Sequence, residues 1–169
     1  MKKILLLLVV LCAVAFNTFA QMSKSDNVGK FSIGIDPGLP VGSASDAYTF
    51  GLGIDLKYDI PVATSTFFNV SAGYTALFTK SALKDLGAKS TYGFVPVKVG
   101  IKYYVDDAFF VEGQIGATFS TESGGGTAFA YAPGVGYKFS DAVEGGIRYE
   151  GWSHDGSLSQ IALRIAFSF

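Results

Sequence analysis

The sequence predicts an all-β protein: an eight-stranded antiparallel up-and-down barrel that crosses a membrane with its strands, preceded by a cleaved signal peptide. Three observations carry this reading. Apolar side chains recur at every second position along most of the chain, which is the spacing of a strand with one apolar face. The positions between them are largely glycine, alanine and serine. The connections between the alternating stretches are by turns long and short.

The first 20 residues stand apart from that pattern. Met1-Lys2-Lys3 is a short positive head, Ile4 to Phe16 is apolar, and Thr18-Phe19-Ala20 offers small residues at the −3 and −1 positions. This order is that of a secretory signal peptide, so residues 1–20 are expected to leave and 21–169 to form the barrel domain. The apolar run is shorter than the roughly 20 residues that a spanning helix needs. The single cysteine, Cys12, lies in this leader behind bulky Leu11, which argues against lipidation. The remainder needs no disulfide in an oxidising compartment. It holds 14 acidic side chains against the 13 basic ones less Lys2 and Lys3. A nucleic-acid binder would carry a basic stripe, so that function is excluded.

The alternation is clearest from Tyr48 to Ile60. Phe50, Leu52, Ile54, Leu56, Tyr58 and Ile60 fall on one face, with Gly51, Gly53, Asp55, Lys57 and Asp59 on the other. Only a strand sorts neighbours this way. The same pattern gives strands near Lys30–Asp36, Tyr48–Ile60, Thr66–Thr79, Tyr92–Val105, Phe109–Ser120, Thr127–Phe139, Val143–Trp152 and Ser159–Phe169. Most reach the 9 to 11 residues, roughly, that a tilted membrane strand requires. Longer connections at Asp36–Ala47, Lys80–Thr91, Thr121–Gly126 and Ser153–Leu158 alternate with shorter ones at Pro61–Ser65, Asp106–Ala108 and Ser140–Ala142. Short inner turns and longer outer loops are the habit of outer-membrane barrels, and this order sets both termini in the periplasm. Pro96 and Pro133 fall inside strands, where each removes a ladder hydrogen bond; a bulge or a rim position is expected at each.

Periodicity alone leaves a soluble, ligand-holding barrel open. Three features favour the membrane. Small residues such as Gly51, Gly53, Gly100, Gly116, Gly134, Gly136 and Gly146 crowd the polar face, as a lumen of eight strands demands. The charges on that face nearly balance, and buried charges must be paired. Asp55, Lys98, Glu112, Arg148 and Arg164 are expected near mid-height as an interior ion-pair network. Aromatics on the apolar face gather toward strand ends: Tyr58, Tyr103, Phe109, Tyr137, Phe139, Phe167 and Phe169 at one rim, and Phe50, Phe78, Phe119, Phe129, Tyr131 and Tyr149 at the other. Two girdles suit two interfaces.

At the C-terminus Ile161, Leu163, Ile165, Phe167 and Phe169 alternate to a final phenylalanine. This resembles the terminal β-signal read by the barrel-assembly machinery. The segment Phe94 to Tyr104 resembles a strand of small outer-membrane barrels of Bacteroidota, and residues 21–169 resemble the small OmpA/OmpX-like barrels of Gram-negative outer membranes. The resemblance implies an integral outer-membrane protein in contact with lipid and lipopolysaccharide. The peptidoglycan-binding half of full-length OmpA-type chains has no counterpart here.

No enzyme motif emerges and no cofactor is expected. Ser153-His154-Asp155 are consecutive and cannot relay a proton as a triad does. His154 with Glu150 leaves a lipid-active hydrolase as an alternative, and a narrow channel for ions or small solutes is another. Gly124-Gly125-Gly126 lacks the Lys-Ser or Lys-Thr of a phosphate loop, and no Cys/His cluster has metal spacing. Lys80, Lys84 and Lys89 face Asp85 alone in one outer loop, a candidate contact for lipopolysaccharide phosphates. The leading expectation is a non-enzymatic barrel with a structural or surface-interaction role, whose surface partner the sequence does not name. If the leader is cleaved as read, the intact mass of the protein from purified outer membranes will correspond to a chain beginning at Gln21; retention of residues 1–20 contradicts the assignment.

Overall fold

The computed structural model describes residues 29–154 and 156–169; the leader expected over residues 1–20 lies outside them. Eight strands form a closed barrel in which each pairs with its sequence neighbours and β8 closes on β1, all antiparallel. They are β1 (Lys30–Val41), β2 (Tyr48–Ala63), β3 (Thr66–Thr79), β4 (Thr91–Tyr104), β5 (Phe109–Ser120), β6 (Thr127–Lys138), β7 (Val143–Ser153) and β8 (Ser157–Ser168). Two single-turn helices, α1 (Ala44–Ala47) and α2 (Ser81–Lys84), sit in the first two long loops.

The apolar face points outward. Leu52, Ile54, Val99, Leu163 and Ile165 are 40–53% exposed, whereas Lys98 and Arg148 are 3% and 9% exposed. A soluble barrel would invert these values. Here the outer belt is matched to hydrocarbon, which hydrates no charge and rewards apolar contact. The aromatic girdles stand on the same outer face, with rings in contact for Phe50–Phe78, Phe129–Tyr131, Tyr131–Tyr149 and Tyr137–Phe139.

The structure extends two strands past their expected ends. β1 runs five residues beyond Asp36, through Pro37 and Pro40, so the first loop shrinks to Gly42–Ala47. Pro40 lies past the last β1–β2 pair, Gly38↔Gly51, where one flank of the strand needs no donor. β2 runs to Ala63, leaving a two-residue turn at Thr64-Ser65 with Ser65 at φ 63°. The prolines inside strands make neither bulges nor rims, contrary to expectation. At Pro37 the β1–β8 pairs skip from Ile35↔Ile165 to Gly38↔Ala162. At Pro96 the β3–β4 pairs skip from Ala72↔Val97 to Thr75↔Phe94. At Pro133 the β6–β7 pairs skip from Tyr131↔Gly151 to Gly134↔Arg148. Each proline stays paired on its other flank, to Leu52, Thr118 and Gly113 respectively. Register is unchanged across each gap, so the missing donor opens one seam locally without shifting a strand. The bulges occur elsewhere, at both ends of β2.

The β4–β5 turn is fixed by Asp106, whose carboxylate accepts hydrogen bonds from the backbone N–H of Phe109 (2.6 Å) and Ala108 (2.8 Å). Those two donors hold its carboxyl below the usual carboxylate range.

Inward Gly116 and outward Gly113, on the same strand, differ in what surrounds them. A Cβ at Gly116 would run into the backbone of Val97 and Lys98, while one at outward Gly113 would meet nothing within 4 Å. Gly116→Val is therefore expected to lower stability by about 1–3 kcal/mol or more through overpacking, and Gly113→Val to leave it unchanged or raised. Urea unfolding followed by the mobility difference between unheated and heated samples reads both.

Candidate functional site

The lumen is layered from one end to the other. Beneath the long loops lies an apolar layer of buried Leu77, Ala130 and Trp152, packed by Tyr48, Phe94 and Leu158. The Phe94 and Trp152 rings are 4.9 Å apart. At the short-turn end Phe67, Tyr104 and Phe110 form a second aromatic layer, with centroids 5.6 and 5.5 Å apart. Gly136 seats the Phe110 ring, which occupies the space a Cβ would take. The ammonium of Lys102 sits 4.6 Å from the Phe110 ring centroid, joining this layer to the charged centre.

Between the two layers the charges meet in pairs. Toward the loops, Lys98 binds Glu150, and Arg148 binds Asp36 (3.2 Å) and Glu150 (3.5 Å). Gln160 donates a hydrogen bond to Glu150. Toward the turns, Arg164 bridges Asp55 (3.1 Å) and Glu144 (3.0 Å) and donates to the Ser32 hydroxyl. Lys102 bridges Asp59 (2.7 Å) and Glu144 (2.9 Å). Lys57 reaches Glu112 (2.9 Å) and Glu144 (3.3 Å). Glu112 also accepts from Asn69, which in turn accepts from Gln114. A void of about 20 Å³ remains beside Glu112, Arg148 and Arg164, room for roughly one water.

Of the five charges expected at mid-height, Asp55 and Arg164 touch each other. Lys98, Glu112 and Arg148 are instead held by Glu150, Lys57 and Asp36. Asp36 stands at the boundary between the expected first strand and the first long connection, and the structure carries it into the lumen. The structure adds the two aromatic layers. Their signal is parity: Phe94 and Tyr104 share a face with Lys98 and Lys102, Phe110 with Glu112, and Trp152 with Arg148 and Glu150. Aromatics on the charged face of a narrow barrel have nowhere to go but across the lumen.

Outside the lumen, Lys80 and Lys84 are exposed at the end of β3 and on α2. Lys89 pairs with Glu122 of the third long loop, and that hydrogen bond raises the pKa of its ammonium. The three lysines thus divide into two at the surface and one engaged in an inter-loop contact. Lys80 also ties two loops through its backbone N–H, which donates to Ala47. His154 lies in the outer mouth above Trp152, and Glu150 below it pairs with Lys98 and Arg148. Ile161, Leu163, Ile165, Phe167 and Phe169 all face outward at the end of the chain, and the Phe169 N–H donates to the Phe31 carbonyl (2.8 Å). Among the described residues no group of three His, Cys, Asp or Glu side chains is arranged to hold a metal ion.

Comparison with known proteins gives a consistent picture. The outer membrane protein beta-barrel domain family matches residues 4–169. No curated protein matches. The crystal structure of Ail, the attachment invasion locus protein of Yersinia pestis, superposes with a TM-score of 0.59 at 16% identity, covering 83% of this chain and 97% of that one. The backbone structure of the same protein in a phospholipid bilayer nanodisc gives 0.59 at 18% identity, with 83% and 99% covered. A de novo designed transmembrane β-barrel gives 0.56 at 16% identity, with 88% and 100% covered. At these identities the likeness is one of fold.

Removing one member of a buried pair leaves its partner charged and desolvated. Lys98→Met is expected to destabilise the barrel by about 3–5 kcal/mol. The double variant Lys98→Met/Glu150→Gln recovers a large part, since Arg148 keeps Asp36. Urea midpoints of the two variants against the unaltered chain test this coupling.

Proposed function

We propose a surface-interaction role for this chain, which belongs to the outer membrane protein beta-barrel domain family and is an integral outer-membrane β-barrel protein. In this reading it is a non-enzymatic barrel with a closed lumen, and its working surface is the set of long loops. The observation that carries the reading is the stacked filling of the lumen: an aromatic layer at each end and paired charges between them. A conduction path would have to break both layers and separate pairs held at 2.7–3.2 Å.

The remaining parts follow from the sequence. The leader directs export, the outward alternation ending in Phe169 serves as the signal for the barrel-assembly machinery, and the termini lie in the periplasm. Lys80 and Lys84 then stand just beyond the outer aromatic girdle, where Phe50 and Phe78 stack. That height suits the phosphates of lipopolysaccharide, which an ammonium binds as a point charge. Ail, the structural neighbour, was also solved in complex with the heparin analogue sucrose octasulfate; a polyanion contact is proposed here for the two free-standing lysines.

Two measurements test the proposal. In planar bilayers the purified barrel is expected to give no stable conductance, and Arg148→Glu or Glu112→Lys to create none with altered ion selectivity. Discrete, charge-sensitive openings would instead support a channel. Lys80→Glu/Lys84→Glu is expected to weaken binding to lipopolysaccharide about tenfold at low salt, with the loss shrinking as salt rises; equal binding removes the lysines from the interface.

A further inference from the structure

The outer wall carries a groove of about 540 Å³ across β4, β5 and β6. Its base is Gly113 and Pro133, which face each other across the β5–β6 ladder. Ile101, the β4 partner of Gly113, and Phe68 beyond it form one side. Val99, Ile115 and Tyr131 form the next row toward the long loops. None of these residues is charged. Elsewhere on the outward face a strand glycine is roofed by one of the barrel's own rings. A Cβ at Gly93 would run into the Tyr74 phenol, one at Gly145 into the Phe139 ring and one at Gly151 into the Tyr131 ring. At Gly113 a Cβ would meet nothing within 4 Å.

A gap in a packed wall forfeits dispersion contact unless something fills it. The groove is continuous with the apolar belt that meets the bilayer, so its filling is drawn from hydrocarbon. A second barrel is the poorer fit. Two convex walls touch at their proudest residues, and the half-exposed Ile101 and Ile115 hold such a wall away from Gly113. A single flexible chain can thread between them. Height selects the leaflet. Gly113 lies four residues from the short-turn end of β5 and seven from its long-loop end. On a strand tilted about 35–45° and rising about 3.4 Å per residue, it stands about 10 Å in from the short-turn rim.

We propose that this groove holds one acyl chain of an inner-leaflet phospholipid, bound through the chain and not through the head group. The choice of leaflet rests on the periplasmic placement of the short turns given above; the chain site itself does not.

The full barrel, stripped of lipid in a mild detergent, is titrated with palmitoyl-oleoyl phosphatidylethanolamine and followed by native mass spectrometry. One lipid per barrel is expected to bind saturably. Phosphatidylglycerol with the same chains should give the same midpoint. Gly113→Phe, which supplies the missing roof, and the smaller Gly113→Leu are each expected to raise the midpoint about tenfold through lost apolar contact. Leu52→Phe, equally bulky on the lipid face of β2, should leave it unchanged. Heat-dependent gel mobility verifies that each variant is folded. Absence of a saturable one-lipid adduct, an unchanged midpoint in both Gly113 variants, or an equal loss in Leu52→Phe overturns the site. A preference between the two head groups overturns recognition through the chain. Barrel extracted directly from outer membranes should carry one phospholipid mass that Gly113→Phe removes; a lipopolysaccharide mass removed in its place overturns the choice of leaflet. Lipopolysaccharide held by Lys80 and Lys84 would persist in Gly113→Phe, so the two proposals fail separately.

Discussion

The structure depends on one constraint: charges shut inside a cylinder only eight strands wide must be neutralised by one another. An isolated carboxylate or ammonium there would cost several kcal/mol after relaxation. The barrel meets the constraint by linking strands that are not neighbours. Lys98 on β4 reaches Glu150 on β7, Arg164 on β8 reaches Asp55 on β2, and Lys102 on β4 reaches both β2 and β7. The hydrogen-bonded ladder joins each strand to the next, whereas these ion pairs reach through the lumen between strands two or three apart. Closing the sheet and filling it are therefore one event. A one-residue register slip on β2, β4, β7 or β8 would turn its inner charges toward hydrocarbon.

Space is the second half of the same constraint. Long cations and carboxylates fit only because their neighbours on the inner face are small. Gly34 lies against the Asp55–Arg164 pair, and Gly134 against Arg148. Where a large ring does enter, as Phe110 does, a glycine opposite yields the room. The inner face thus alternates bulk and vacancy around the barrel as well as along it, which is why its composition reads as glycine-rich with a few very large residues.

Most of this was legible in the sequence. The period of two gave eight strands, and β3 and β5 begin and end where the alternation places them. The outward face followed from small inner residues and balanced charge. Two things were not legible, each for a physical reason. Pro37 and Pro40 read as the end of the first strand, because a one-dimensional pattern does not reveal that a proline can sit where only one flank of the strand is paired. Asp36 was lost from the lumen with them. The partners of Lys98, Glu112 and Arg148 depend on the tilt of the strands, which decides which inner residues share a height, and no spacing along one strand encodes it. The aromatic layers, by contrast, are legible in parity: Phe94, Tyr104, Phe110 and Trp152 all fall on the charged face.

The three proline gaps have a consequence for the wall as a whole. They fall at the β8–β1, β3–β4 and β6–β7 seams, spread around the circumference and each no more than two residues tall. A fully laddered hoop resists flattening; one with three short slits can change from circular to oval at those hinges while its strands keep their partners above and below. Lateral pressure from the surrounding bilayer would then be absorbed as a change of outline, with the cross-lumen ion pairs acting as struts that limit it.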